Sequence, residues 1–428
     1  MGNANHGLAV TRGMPITACY FIMTENCNLR CVYCFEKNTR AVSKVIDLES
    51  AHKLINFLFS EAMRSENPNM DVDITFFGGE PMLAINECID ILKYACKKRD
   101  ETGRNVKFLV ITNATIYNEK VEEFLQTWYD LCGTVMIQLS IDGIPEIQNA
   151  NRPCANKNLR SSDLIEENVA KYQKWIREHN LSWDKVFVHC VVSKSSLPML
   201  WDNYEYFTKR LRVRFEFAWV YEDPWDDDDT RILDEQLDRI IADMGTWATD
   251  IWLFPFKHSD KCAGCGSGKQ LVSMDTEGNL YPCHRFFFYS MDSRSEMKLG
   301  NINDDIPINE DIRNQFIDLD VDEVCGEPCQ FCMAVNYETT GRIDKMPNRY
   351  AIDFMSVINH YYDIYVQIIE RRMTAINIKN LNDRCDSLEK CVIRLANILK
   401  DKFNMSEEEL PITTSRDRKC NGSCNKCE

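Results

Sequence analysis

The sequence predicts an α/β chain: a parallel sheet of alternating strands and helices, then a loop-rich, cysteine-rich region, then C-terminal helices. Three observations predict it. Six strand signals alternate with helical ones between residues 17 and 220, and such alternation builds a parallel sheet, either open or curled into a barrel. The composition then changes at the acidic stretch Glu222 to Asp229, EDPWDDDD. Finally, twelve of the 20 cysteines fall into three tight groups.

The elements follow in order. Thr17 to Thr24 (TACYFIMT) has the β-branched and aromatic content of a strand, and Leu48 to Met63 repeats its apolar residues at helical spacing. Val72 to Phe77 is a second strand and Ile85 to Lys98 a second helix. Strands at Lys107 to Thr112 and Thr134 to Ile141 enclose a helix at Asn118 to Tyr129. A helix at Leu164 to Arg177, a strand at Lys185 to Val192, a helix at Leu197 to Leu211 and a strand at Val213 to Val220 complete the run. The acidic stretch, with its Pro224, reads as a linker or exposed loop, and a helix from Arg231 to Trp252 follows. A hairpin is expected from Leu271–Met274 against Leu280–Cys283, turning at Glu277-Gly278-Asn279. Long helices are expected over Asn348 to Arg372 and Leu388 to Phe403, ahead of a Cys-, Lys- and Asn-rich end. The division that results is 14–225, 226–260, 261–345 and 346–428.

Composition narrows the function. At 428 residues the chain can bury more than one core. Its net charge of −16 would repel a phosphate backbone, so no nucleic acid partner is expected. The longest apolar runs fall short of a bilayer span, so no membrane association is expected, and the first residues lack a signal-peptide pattern. The expected location is cytoplasmic. There, closely spaced cysteines argue for metal rather than disulfides. The scattered cysteines, Cys19, Cys88, Cys96, Cys132, Cys154, Cys190, Cys385 and Cys391, read as small packed hydrophobes.

Cys27, Cys31 and Cys34 have the spacing C-x3-C-x2-C in the loop after the first strand. In a parallel barrel that loop lies on the C-terminal face, where active sites are built. Three soft ligands suit a [4Fe-4S] cluster that keeps one iron open to an outside ligand. A zinc knuckle would need a fourth Cys or His, and the next one, His52, falls inside the first predicted helix.

The run CNLRCVYC, with Tyr33 before the third cysteine, resembles the cluster-binding signature of the radical S-adenosylmethionine enzymes. The resemblance covers residues 14 to 225 and implies a partial (β/α)6 barrel. It implies that Gly78-Gly79-Glu80, after the second strand, holds the methionyl amino group, to which glycine-freed carbonyls and a carboxylate are suitable acceptors. Asn113, at the end of strand three, and Ser140, in Ser140-Ile141-Asp142-Gly143, match further positions near the cofactor, and Arg152 is a carboxylate partner.

The second region resembles the family's SPASM extension, which holds two auxiliary [4Fe-4S] clusters. Its cysteines here are Cys262, Cys265, Cys283, Cys325, Cys329 and Cys332, with Gly278 in the hairpin turn. The usual pattern continues C-x2-C-x5-C-x3-C, but after Cys329 and Cys332 the expected places carry Glu338 and Arg342. Cys420, Cys424 and Cys427 in the tail are the obvious supply of missing ligands. One open and two closed clusters need eleven of the twelve clustered cysteines, which leaves one spare or one misassigned. A zinc site for part of this set is the structural alternative.

The resemblance implies a peptide maturase whose cofactors are S-adenosylmethionine and these iron–sulfur clusters. Phe21 to Cys27 and Tyr281-Pro282-Cys283-His284-Arg285 look most like maturases that form thioether cross-links in Cys-rich precursors. A 5′-deoxyadenosyl radical would remove a hydrogen from the precursor peptide, and a Cys sulfur would close on that carbon. The implied partners are the precursor and an electron donor such as flavodoxin or ferredoxin. With 26 residues ahead of Cys27, leader recognition is expected from a separate protein, the barrel or the C-terminal helices. Carbon–carbon cross-linking, side-chain oxidation, and a non-catalytic iron–sulfur carrier or sensor are the alternatives.

Overall fold

The structure, a computed structural model, describes residues 14–35, 44–67, 69–220, 222–246, 266–288, 296–319, 332–345, 356–368 and 370. The chain divides into two compact units, Met1–Tyr362 and Asp363–Glu428. The first carries every strand and every numbered helix named below.

Six parallel strands form the body of the sheet: β1 Ala18–Ile22, β2 Val72–Phe77, β3 Val106–Thr112, β4 Ile137–Ser140, β5 Val186–Val192 and β6 Arg214–Trp219. Each pairs in parallel with its sequence neighbour. The crossover helices are α1 Leu48–Arg64, α2 Ile85–Thr102, α3 Glu119–Cys132, α4 Pro145–Asn151, α5 Ser161–Glu178 and α6 Leu200–Glu205. The sheet does not close, because β6 is an edge. It is the partial barrel expected from the alternation.

Successive strand residues point to opposite faces. In β5 the fully buried set is Val186, Val188, Cys190 and Val192, while Phe187, His189 and Val191 are partly exposed on the other face. Tyr20, Phe77, Ile111, Ser140, His189 and Ala218 bring that second face of each strand to a common cavity.

The hairpin continues this sheet on its other side. β7 Leu271–Met274 pairs in parallel with β1, and β8 Asn279–Tyr281 and β9 Gly300–Asn301 follow antiparallel. Gly278 in the turn has φ +82°, the left-handed geometry that favours glycine. This placement brings the segment after β8 to the barrel mouth.

Three local expectations change. The acidic stretch is not a linker throughout: α7, Asp227–Thr246, begins inside it. Asp226 Oδ1 accepts from the Asp228 and Asp229 amides at 3.0 and 3.1 Å, and acidic residues complement the positive end of the helix. The single helix expected over Leu197–Leu211 is a 3-10 turn at Leu197–Met199, then α6, then a π-helical stretch Tyr206–Leu211 ending at Arg212 with φ +51°. Four short helices among the described residues, α4, His284–Phe288, Glu310–Ile317 and Met333–Thr340, add to the expected set, being too brief to leave a periodic signal. Of the helix expected over Asn348–Arg372, residues 356–368 are described and helical, whereas Leu388–Phe403 and the tail lie outside the described residues.

Helix α1 gives a direct test of local sequence control. Asp47 caps it, accepting from the Ser50 amide and hydroxyl at 2.9 and 2.6 Å, so its carboxyl is held below the usual range. Asp47→Ala is expected to lower stability by about 1 kcal/mol in chemical denaturation.

Candidate active site: a three-cysteine loop over the barrel mouth

The loop after β1 carries Cys27, Cys31 and Cys34, and all three line a cavity of about 350 Å³ at the C-terminal ends of the strands. Three neighbouring segments fix the loop. From β2, the Gly79 and Glu80 amides donate to the Thr24 and Asn26 carbonyls at 2.8 and 2.9 Å. From β3, Asn113 Nδ2 donates to Asn28 Oδ1 at 2.8 Å, and Asn28 Nδ2 donates to Thr115 Oγ1 at 2.7 Å. From the end of α4, Pro153 and Asn151 carbonyls accept from the Arg30 and Val32 amides at 2.7 and 2.8 Å.

The glycine pair is needed for the first of these. A Cβ on Gly78, where φ is +120°, would stand 2.6 Å from the Thr24 carbonyl oxygen, and one on Gly79 would stand 2.1 Å from that of Asn26. Both obstacles are backbone of the cysteine loop. Gly79→Ala should therefore displace that loop and remove most of the iron it holds, read as iron per chain in protein whose circular dichroism is otherwise unchanged.

Glu80 also has an internal task. It is fully buried: Oε1 accepts from the Met82 amide at 3.1 Å and the Thr112 hydroxyl at 2.7 Å, and Oε2 accepts from the Asn113 amide at 2.8 Å. Burial pushes its carboxyl up, against those three donors. The carboxylate thus ties the β2 turn to the β3 turn and positions Asn113. Gly78, Gly79, Glu80 and Asn113 all lie on the cavity wall.

Arg152 is likewise committed inside the protein. Its Nε donates to Asp142 Oδ1 at 2.8 Å, its Nη1 lies 4.0 Å from Cys31 Sγ, and its guanidinium sits 5.4 Å from the centre of the Tyr33 ring. Tyr33 donates its hydroxyl to the other Asp142 oxygen. Burial works against the Arg152 charge, but the neighbouring groups, Asp142 foremost with Tyr33 and Cys31, together outweigh it and hold the guanidinium charged. Burial also raises the Tyr33 phenol well above its ordinary range, so it stays a protonated donor. Asp142 is thus an internal carboxylate partner for Arg152, which also lines the cavity.

Asp142 is the residue that sequence reasoning missed. It is 0% exposed and gathers Tyr33, Arg152 and the Val191 amide around one carboxylate. The motif Ser140-Ile141-Asp142-Gly143 drew attention to Ser140, which does line the cavity. Only the tertiary convergence of a cysteine-loop tyrosine with a post-α4 arginine exposes the role of the aspartate.

Backbone and side-chain donors approach the sulfurs: Leu29 N lies 3.4 Å and Asn113 Nδ2 3.9 Å from Cys27 Sγ. Donors of this kind stabilise thiolates and tune an iron–sulfur centre. Among the described residues, no three His, Cys, Asp or Glu side chains converge closely enough to hold a single metal ion. Three thiols of one loop, spread over a cavity and met by N–H donors, fit a cluster.

The opposite wall comes from the segment after β8. His284 stacks at a tilt against Phe77 and Tyr20, with ring centres at 4.5 and 4.7 Å, and burial with the adjacent Arg285 charge pushes its imidazole down to about 3. Arg285 crosses the mouth to Glu222 at 3.0 Å and lies 4.9 Å from the Phe35 ring centre. Cys283 packs with Tyr281, Phe286, Phe287 and Met333 in a buried cluster that also contacts Cys332. Cys262, Cys265, Cys325, Cys329, Cys420, Cys424 and Cys427 lie outside the described residues.

Residues 13–163 match the family described as a 4Fe-4S single cluster domain. An uncharacterized protein of Methanocaldococcus jannaschii is 26% identical over 287 residues, 66% of this chain and 87% of that protein. A cysteine-type anaerobic sulfatase-maturating enzyme of Clostridium perfringens is 25% identical over 307 residues, 66% of this chain and 76% of the enzyme. The antilisterial bacteriocin subtilosin biosynthesis protein AlbA of Bacillus subtilis is 24% identical over 302 residues, 68% of this chain and 58% of AlbA. Among solved structures, anSMEcpe with bound AdoMet superposes with a TM-score of 0.60 at 18% identity, over 84% of this chain and 100% of that one. Streptococcus suis SuiB bound to the precursor peptide SuiA gives 0.52 at 14% identity, over 78% and 75%.

In its fold, cysteine loop and relatives the chain is similar to the radical S-adenosylmethionine enzymes. The enzymes it resembles include ones that act on proteins and peptides, a sulfatase-maturating enzyme and a bacteriocin biosynthesis protein. Among the described residues, no helix is long and apolar enough to cross a membrane.

Proposed function

We propose that the protein is a radical S-adenosylmethionine maturase that installs thioether cross-links in a ribosomally made precursor peptide. The observation that carries this reading is the meeting of two cysteine-bearing segments at one cavity: the Cys27, Cys31 and Cys34 loop on one wall and His284-Arg285, directly after Cys283, on the other. A [4Fe-4S] cluster on the first three cysteines and S-adenosylmethionine beside it would supply one-electron cleavage to a carbon radical.

The chain's own residues orient and enclose. Gly78, Gly79, Asn113 and Ser140 offer the polar wall for the cofactor. Tyr20, Phe35, Phe77 and His284 form an aromatic wall that excludes water from a reactive intermediate, and the Arg285–Glu222 pair spans the mouth. Cys283, with Cys262 and Cys265, is a candidate to hold one auxiliary cluster, and Cys332, with Cys325 and Cys329, a second, for which the tail cysteines are the proposed source of missing ligands. A flavodoxin or ferredoxin is the proposed electron source, and the cytoplasm the proposed location.

The test is co-expression with a Cys-rich precursor peptide, sought among the short open reading frames next to its gene. The product should lose two hydrogens per cross-link, with the matching precursor cysteines no longer alkylated. The same mass loss with every precursor thiol still alkylated would replace the thioether reading by carbon–carbon cross-linking. Cys283→Ala should keep part of the 5′-deoxyadenosine formation and lose cross-linking, measured as the ratio of the two products.

A further inference from the structure

Two thiols far from the cluster loop in sequence, and unused by the chemistry above, stand side by side on the outer helices. Cys96, on α2, and Cys132, the last residue of α3, bring their sulfurs to 3.6 Å. Cys96 is 1% exposed and Cys132 half-buried, so an oxidant in solution meets Cys132 first. Arg99, one turn along α2 from Cys96, donates its Nη1 to the Leu131 carbonyl at 2.9 Å and lies 3.9 Å from Cys132 Sγ.

This differs from the packed hydrophobes expected of the scattered cysteines. Cys19, Cys88 and Cys190 fit that reading, since each is buried and burial pushes its thiol up. For Cys132 the hydrogen bond from Cys96 lowers the thiol's pKa, burial opposes, and the Arg99 charge lowers it further. The same hydrogen bond, then burial, raises that of Cys96. An accessible thiol poised to ionise beside a buried partner is the arrangement of an attacking and a resolving cysteine.

We propose that Cys96 and Cys132 are a redox modification site, closing to a disulfide when hydrogen peroxide reaches Cys132. The Cys132 thiolate attacks the peroxide, the O–O bond breaks, and a sulfenic acid and one water result. The Cys96 thiol then attacks that sulfur, the S–S bond forms, and the second oxygen leaves as water. Two electrons pass from the sulfurs to the peroxide. Closure to about 2.05 Å asks for a modest shift. It falls at the C-terminal end of α3, where Gly133 turns the chain with φ +67°. The disulfide would staple α2 to α3, the helices that flank β3, without using a cavity residue. The inference is independent of the proposed maturase activity.

The experiment uses the full-length, cluster-loaded protein, prepared anaerobically without added thiol. It is treated with one equivalent of hydrogen peroxide, quenched with N-ethylmaleimide and digested without reduction. The expected product is a peptide pair joined through Cys96 and Cys132, two hydrogens lighter than the sum and separated by dithiothreitol. In Cys96→Ser, Cys132 should instead accumulate as a sulfenic acid that dimedone traps, while in Cys132→Ser the Cys96 thiol should remain alkylatable. Recovery of both cysteines as maleimide adducts from treated wild-type protein would overturn the proposal, and so would a Cys132 that dimedone never labels in Cys96→Ser.

Discussion

Replacing Cys27, Cys31 and Cys34 together by Ala should cost about four iron atoms per chain, the content of one cluster, and reduce 5′-deoxyadenosine formation to background. The three side chains lie on one loop over one cavity, and that loop is pinned by backbone bonds to the β2 turn and to the segment after α4. The barrel core lies on the other side of the sheet, in residues such as Ile74, Val110, Leu139 and Val188. The variant should therefore fold, and the loss should be specific. Iron bound at the second cysteine region should persist. Retained 5′-deoxyadenosine formation by the triple variant would place the reactive cluster elsewhere.

Asp142→Ala is expected to be the most damaging single substitution at the site for stability. The carboxylate is fully buried and faces an arginine whose side chain is 10% exposed, 2.8 Å away. Removing one partner leaves the guanidinium charge buried and uncompensated, at a cost of about 3–5 kcal/mol in denaturation experiments. It also removes the acceptor of the Tyr33 hydroxyl, so the cysteine loop loses an anchor. Changing Asp142 and Arg152 together to apolar residues should cost less than Asp142→Ala alone, because no unpaired charge remains. A loss below about 1 kcal/mol for the single variant would mean that the ion pair is not what holds this region.

The fold was legible where periodicity is long. The six parallel strands and most of their crossovers have the lengths and apolar patterns that a two-residue or 3.6-residue repeat makes visible. The seven residues of α4 do not, and Asp227 to Asp229 conceal a helix start because the same acidic run serves equally well as a solvated loop. The site divides in a similar way. Cys27, Cys31, Cys34 and the glycine pair are legible because their spacing and residue type are themselves the chemistry. The internal partners of Glu80, Arg152 and Asp142 are not, because a buried charge is paired with whichever group the tertiary fold brings to it. Glu80 meets three donors from its own turn and β3, Arg152 meets Asp142, and neither encounter is written in local sequence. The Cys96–Cys132 pair escapes for the same reason, since its members come from different helices.

The central claim is that the cysteine loop and its cavity form a radical S-adenosylmethionine centre. Its most direct test is anaerobic incubation of the reconstituted wild-type protein with S-adenosylmethionine and dithionite, followed by quantitation of 5′-deoxyadenosine. The account predicts reductant-dependent formation of 5′-deoxyadenosine and methionine in equal amounts. Iron-loaded, reduced protein that leaves S-adenosylmethionine intact would contradict it.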